Sequence, residues 1–161
     1  MIEMMADPMS ALLSFQKEVS AGMPTAGVVG SPNIRVFRDE PNGKTRFSYA
    51  RVDEGQVRSL AMFVSGGAMD GIPCFDVGYA VAPPWRGCGY AKEIVIQGIK
   101  ELSVGLRQAT GLTAFWIVAV IDPENHVSKS LAMCTLSTTP ESILDEFSGL
   151  PALVFRLLVR I

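Results

Sequence analysis

The sequence predicts one α/β domain over residues 1–161, a mixed sheet with helices on both faces. Three observations carry this. Residues 34–82 alternate apolar and polar side chains in short runs broken by turns, which reads as antiparallel strands. The period then changes: Ala91, Ile94, Val95, Ile99, Leu102 and Leu106 recur at helical spacing. A continuous apolar run follows at 113–121, suited to a strand buried on both faces. Strand, helix and strand in that order make a parallel crossover the natural outcome.

The elements follow in sequence. Asp7-Pro8 opens a helix, with Asp as cap and Pro at the first helical position. Met9, Leu12, Leu13, Gln16 and Val19 continue it, and Gly22 ends it. Residues 22–32 read as a loop. A strand at 34–38, a turn at Pro41-Asn42-Gly43, and a strand at 46–52 come next, with Phe47 and Tyr49 toward a core. Asp53-Glu54-Gly55 turns the chain into a strand at 57–64. Residues 65–73 read as a glycine-containing loop, and 74–82 as a strand. After the long helix, Gly111 is placed as its terminator. Asp122-Pro123 starts a shorter helix near 125–133, and 152–159 is a last apolar strand.

Composition narrows the function classes. The chain is 48% hydrophobic and 19% charged, with a formal net charge of −2. No basic stripe stands out, which argues against nucleic-acid binding. The three cysteines, Cys74, Cys88 and Cys134, and the lone His126 have no metal-site spacing. No apolar run is long enough to cross a bilayer as a helix. Residues 1–7 are acidic rather than basic and do not read as a secretory leader. The expectation is a cytoplasmic protein with reduced thiols, without metal, nucleic-acid or membrane partners.

The segment that carries chemistry lies between the strand at 74–82 and the long helix. In Pro83-Pro84-Trp85-Arg86-Gly87-Cys88-Gly89-Tyr90-Ala91, two glycines permit positive φ and close backbone approach to a ligand. The helix that follows presents unpaired N–H groups and the positive end of its dipole. Such a turn suits a phosphate. A P-loop is excluded, because no Gly-Lys-Ser/Thr is present. A dinucleotide loop requires a small residue three after the second glycine, and Lys92 stands there.

Arg86-Gly87-Cys88-Gly89-Tyr90-Ala91 resembles the Arg/Gln-x-x-Gly-x-Gly/Ala signature of the GCN5-related N-acetyltransferase (GNAT) superfamily. Asp76-Val77-Gly78-Tyr79-Ala80-Val81-Ala82-Pro83 resembles the strand that precedes it in that superfamily, especially in its ribosomal-protein-acetylating branch. Asn125-His126-Val127-Ser128 resembles the Asn-x-x-Ser/Ala at the start of a later helix. The resemblance implies a GNAT-like fold with two parallel strands that splay apart, and acetyl-CoA as cosubstrate. It implies that Val81 offers backbone hydrogen bonds to the pantetheine arm, that Arg86, Gly87, Cys88, Gly89, Tyr90 and Ala91 hold the pyrophosphate, and that Asn125 and Ser128 lie along the arm. Asn125 also reads as a helix cap, a role compatible with the first.

Transfer to an amine calls for a base. Asp76 alternates onto a strand face with the small residues Cys74, Gly78 and Ala80, and is the candidate; a structural carboxylate is the competing reading. Asp53 and Glu54 read as turn residues. Relatives often carry a tyrosine seven positions after the asparagine to protonate the departing thiolate. Ala132 stands there, which leaves solvent, Tyr79 or Tyr90. The leading expectation is direct acyl transfer from acetyl-CoA to a primary amine in a ternary complex. The alternatives are a non-catalytic acyl-CoA sensor and a phosphate-ligand binder of another fold. No motif names the acceptor, and the apolar 152–159 run is a surface through which a second copy could pair.

Overall fold

A computed structural model describes residues 7–28, 30–146 and 148–161. Its first helix, α1 (Pro8–Ser20), starts where the sequence places it: the Asp7 side chain accepts from Ser10 N at 3.1 Å, and Pro8 takes the first helical position. Leu12 and Phe15 are its buried residues. Gln16 anchors it further on, donating to Gly55 O at 2.9 Å and accepting from Val57 N at 2.7 Å.

The strands are β1 (Ala26–Val28), β2 (Ser31–Asp39), β3 (Arg46–Asp53), β4 (Gln56–Met69) and β5 (Ile72–Val81), each antiparallel to its predecessor. The hairpin turns need left-handed backbone, and their residues supply it: Glu54 and Gly55 have φ of 52° and 75°, Asp70 and Gly71 of 53° and 77°. The loop expected at 65–73 is corrected here. β4 continues to Met69, and two residues suffice to turn into β5; a bulge between Ser65 and Ala68 absorbs the glycines. The loop expected at 22–32 likewise contains β1 and the start of β2.

Helix α2 (Tyr90–Thr110) ends in left-handed Gly111 and leads into β6 (Ala114–Ile121), which is parallel to β5. Then come α3 (His126–Thr135), a short edge strand β7 (Glu141–Leu144) that the sequence reading did not include, and β8 (Pro151–Arg160). Among the described residues the sheet order is β1-β2-β3-β4-β5-β6-β8-β7.

Because β3, β4 and β5 are apolar on both faces, each face holds its own core. Phe63, Phe115, Phe155, Ile94 and Leu102 pack where α2 and α3 lie. On the opposite face Ala50, Leu60, Met62 and Ala80 meet Leu12 and Phe15 of α1. Burying these two side chains of α1 stabilises the contact by about 3–6 kcal/mol before conformational entropy is subtracted.

Candidate functional site

The parallel ladder between β5 and β6 has few rungs. Cys74 faces Trp116, Phe75 faces Ile117 and Asp76 faces Val118, and there the pairing stops. β5 runs on to Val81 paired only with β4, and β6 runs on to Ile121 paired only with β8. The two strands therefore open into a V with its foot at Asp76 and Val118. Ala82 N donates to Arg58 O at 2.9 Å on the β4 side. By the alternation of an antiparallel strand, residues 77, 79 and 81 turn their backbone groups the other way, into the V. The Val81 carbonyl there accepts from Arg86 Nε at 3.1 Å, which leaves the Val81 amide facing the gap.

At the mouth of the V, Pro83–Trp85 form one 3-10 turn, and the chain passes through left-handed Gly87 (φ 77°) and Gly89 (φ 81°) into α2. The first backbone bond of the helix runs from Glu93 N to Gly89 O. No acceptor among the described residues meets the amides of 87–92, and the cap, Gly89, has no side chain to offer one. A Cβ at Gly87 or Gly89 would enter open space. Arg86, Gly87, Cys88 and Gly89 are exposed, while Tyr90 and Ala91 are half-buried. This is a row of free N–H donors at a helix N-terminus, with Arg86 and Lys92 beside it in sequence.

Tyr90 does not point into that row. Its hydroxyl accepts from Arg58 Nη1 at 2.9 Å, and the Arg51 guanidinium lies 4.6 Å from its ring centre. Arg51 also binds Asp53 at 2.8 Å and Glu93 at 2.6 Å, and these partners, Asp53 first, raise its pKa further. Asp53 is thus corrected from a turn residue to the shared partner of Arg51 and Arg58. No local signal could have shown this, since Arg58 comes from the next strand. Tyr90 is thus tied to the β3–β4 arginines, with its hydroxyl as acceptor.

Across the V, Asn125 caps α3: its side chain accepts from Ser128 N at 3.1 Å, which leaves its amide NH₂ free to donate. Tyr79 comes up from β5 beneath it. Its hydroxyl is buried and makes no hydrogen bond among the described residues. Burial raises its pKa, and the nearby Ser128 hydroxyl offsets part of the rise. The phenol sits on the strand segment that lines the gap, with Ser128 beside it.

Asp76 occupies the foot of the V, on the face that carries Cys74 and Ala80. It is half-buried, and burial raises its pKa above 3.8, with Lys44 pulling the other way. Gly66 gives it room: a Cβ there would stand 2.6 Å from Asp76 Oδ2. Cys74 is buried beside it, while Cys88 and Cys134 are exposed. His126 and Val127, in the first turn of α3, face solvent. Ala132, at the α3 position where the resemblance implies a tyrosine, is buried at 2% exposure.

Solved structures with a similar backbone fold exist. A protein assigned to the GNAT acetyltransferase family from Desulfovibrio desulfuricans matches with a TM-score of 0.53 at 14% identity, over 70% of this chain and 67% of that one. A GNAT-family acetyltransferase from Streptococcus pneumoniae matches over 96% of both chains, with a TM-score of 0.51 at 11% identity. This is the GNAT fold. A third protein with the GNAT fold, a ribosomal α-N-protein acetyltransferase in complex with coenzyme A, matches with a TM-score of 0.51 at 12% identity; this chain spans 62% of its length. No protein-family model and no curated protein matches the sequence. At such identities the GNAT likeness concerns the backbone, and the roles of side chains rest on their own geometry. The sequence reading had the mixed sheet, its crossover helix and the splayed pair in this order.

Proposed function

We propose that the protein moves an acetyl group from acetyl-CoA to a primary amine while both are bound. One observation carries the reading: a single strand, β5, has a carboxylate at the foot of its unpaired segment and a row of free amides just past its end. A neighbour with the same fold is in complex with coenzyme A, and another is a spermidine N-acetyltransferase chimera (TM-score 0.51, 15% identity).

The residues present fit that cosubstrate. The amides of Gly87, Cys88, Gly89, Tyr90 and Ala91 would hold the pyrophosphate, helped by the helix dipole and the Arg86 charge. The inward backbone of residues 77–81 would take the pantetheine arm as an added strand would be taken. Asn125 would donate its free amide hydrogens to the same arm, and Ser128 would lie alongside. When bound, acetyl-CoA supplies an acyl group already activated as a thioester. The Val81 amide would bind the thioester oxygen as negative charge develops on it. Asp76, its pKa raised by burial, would draw a proton from the incoming ammonium through a file of waters, since five strand residues, about 16 Å, separate it from Val81. The buried Tyr79 hydroxyl, neutral at physiological pH, would donate toward the departing sulfur.

Calorimetric titration with acetyl-CoA, followed by thiol release across a panel of amines, tests this. Binding with turnover on at least one amine is the expected result. No binding at millimolar acetyl-CoA would remove the reading. A second reading, an acyl-CoA binder that does not transfer, draws on Ala132, which leaves α3 without a hydroxyl at that position. Binding without turnover on any amine would favour it.

A further inference from the structure

Arg58, on β4, is outside every motif that points to the cofactor, yet it reaches both ends of the glycine loop. Its Nη1 donates to the Tyr90 hydroxyl at 2.9 Å. Its guanidinium carbon lies 5.2 Å from the centre of the Trp85 ring and 5.9 Å from that of Tyr90. Its carbonyl accepts from Ala82 N at 2.9 Å, the last amide before Pro83 and Pro84. Trp85 precedes the loop and Tyr90 opens the helix after it, so one guanidinium spans the segment that carries the free amides.

The other contacts of Arg58 fix its pose. Nε is buried, 3.1 Å from Asp53 Oδ2, an ion pair at an angle that makes no hydrogen bond. Asp53 in turn holds Arg51, which binds Glu93 in the first turn of α2 and lies 4.6 Å from the centre of the Tyr90 ring. Tyr90 is thus gripped by two arginines of adjacent strands, and the start of α2 by a third contact through Glu93. A planar fork that stacks and donates at once is what Arg offers and Lys does not.

We infer that Arg58 is a positioning residue for the pyrophosphate: it preorders the 85–90 loop so that the amides converge before the ligand arrives. The inference rests on the acetyl-CoA reading above. A loop with two positive-φ glycines samples many shapes, and ordering it in advance removes that cost from binding. The prediction is specific to the part of the ligand the loop would touch. Arg58 does not reach the pantetheine channel, so a ligand without pyrophosphate should be indifferent to it.

The test compares coenzyme A with pantetheine, which lacks the pyrophosphate and nucleotide, by calorimetry on the full chain. Arg58→Gln and Arg58→Lys should each weaken coenzyme A by about tenfold and leave pantetheine affinity unchanged. Tyr90→Phe, which removes one oxygen and folds without difficulty, should weaken coenzyme A by about threefold. Combined with Arg58→Gln it should add nothing, because both remove the same bond. Equal coenzyme A affinity in Arg58→Gln and the unsubstituted protein would overturn the inference. So would equal losses for both ligands, the mark of general damage; if Arg58→Gln does not fold, Tyr90→Phe alone decides by the same comparison. Failure of the unsubstituted protein to bind coenzyme A would instead remove the cofactor reading itself.

Discussion

Two glycines in the same helix should respond in opposite ways to the same substitution. Gly98 and Gly105 both lie inside α2, and replacing either with alanine gains about 1 kcal/mol of helix propensity. At Gly105 a Cβ meets nothing within 4 Å, so the gain stands. At Gly98 it would come within 2.7 Å of Phe63 Cε2, 3.0 Å of Cζ and 3.5 Å of Tyr49 Cδ2. Ordinary carbon contacts lie at about 3.5–4.0 Å, so the approach is about 0.8 Å too close. Phe63 is fully buried and packed edge-on against Tyr49 at 5.8 Å, which leaves the ring no room to yield. Overpacking of this kind costs about 1–3 kcal/mol, which exceeds the propensity gain. Gly98→Ala should therefore lose about 1 kcal/mol and Gly105→Ala gain about 1 kcal/mol. With about 2.1 cal/mol/K of unfolding entropy per residue over 161 residues, each kcal/mol is about 3 °C of Tm. Thermal and urea unfolding of the two variants should place them about 6 °C apart, on either side of the parent. Equal shifts in one direction would refute the close helix–sheet contact at Gly98.

Asp76→Asn should lower kcat by about 10²–10⁴-fold and leave acetyl-CoA affinity nearly unchanged, read by thiol release and calorimetry. Because the folded pKa of Asp76 is raised above 3.8, the folded state holds the proton more tightly, and stability falls as pH rises through that window; the asparagine variant should lack this fall and be the more stable at pH 7. Gly89→Glu puts a side chain and a negative charge where φ is 81° and the amides converge, and should abolish coenzyme A binding by calorimetry; retained affinity would count against the loop. Tyr79→Phe removes a buried hydroxyl that sits beside Ser128, and should slow thiol release while leaving acetyl-CoA affinity nearly unchanged.

Much of this was readable in one dimension because the signals are local. The Asp7-Pro8 start, the Gly111 stop and the Gly87–Gly89 pair each depend on neighbours a few residues away. The hairpin at Asp70-Gly71 has a local signal too, since Asp-Gly is the dipeptide that a left-handed two-residue turn selects, but the glycines at 66 and 67, which form a bulge, carry the same local signature as a loop. β1 and β7 escaped because three- or four-residue edge strands carry almost no period. The arginine cluster escaped for a different reason. Arg51, Asp53, Arg58, Tyr90 and Glu93 meet only once β3, β4 and α2 have assembled, and nothing in their spacing along the chain announces it.

The early end of the β5–β6 ladder has a mechanical meaning as well. Among the described residues three rungs of backbone ladder join the five strands on one side to the three on the other, so the sheet has a seam. A seam is also an internal edge, and exposed edges recruit foreign strands. Two prolines just past β5 and the Arg86 guanidinium over the Val81 carbonyl blunt it. Any molecule that fills the gap with amides and carbonyls of its own would suture the halves. Hydrogen exchange at residues 77, 79 and 81 would then slow far more than at their neighbours, whose amides already belong to β4.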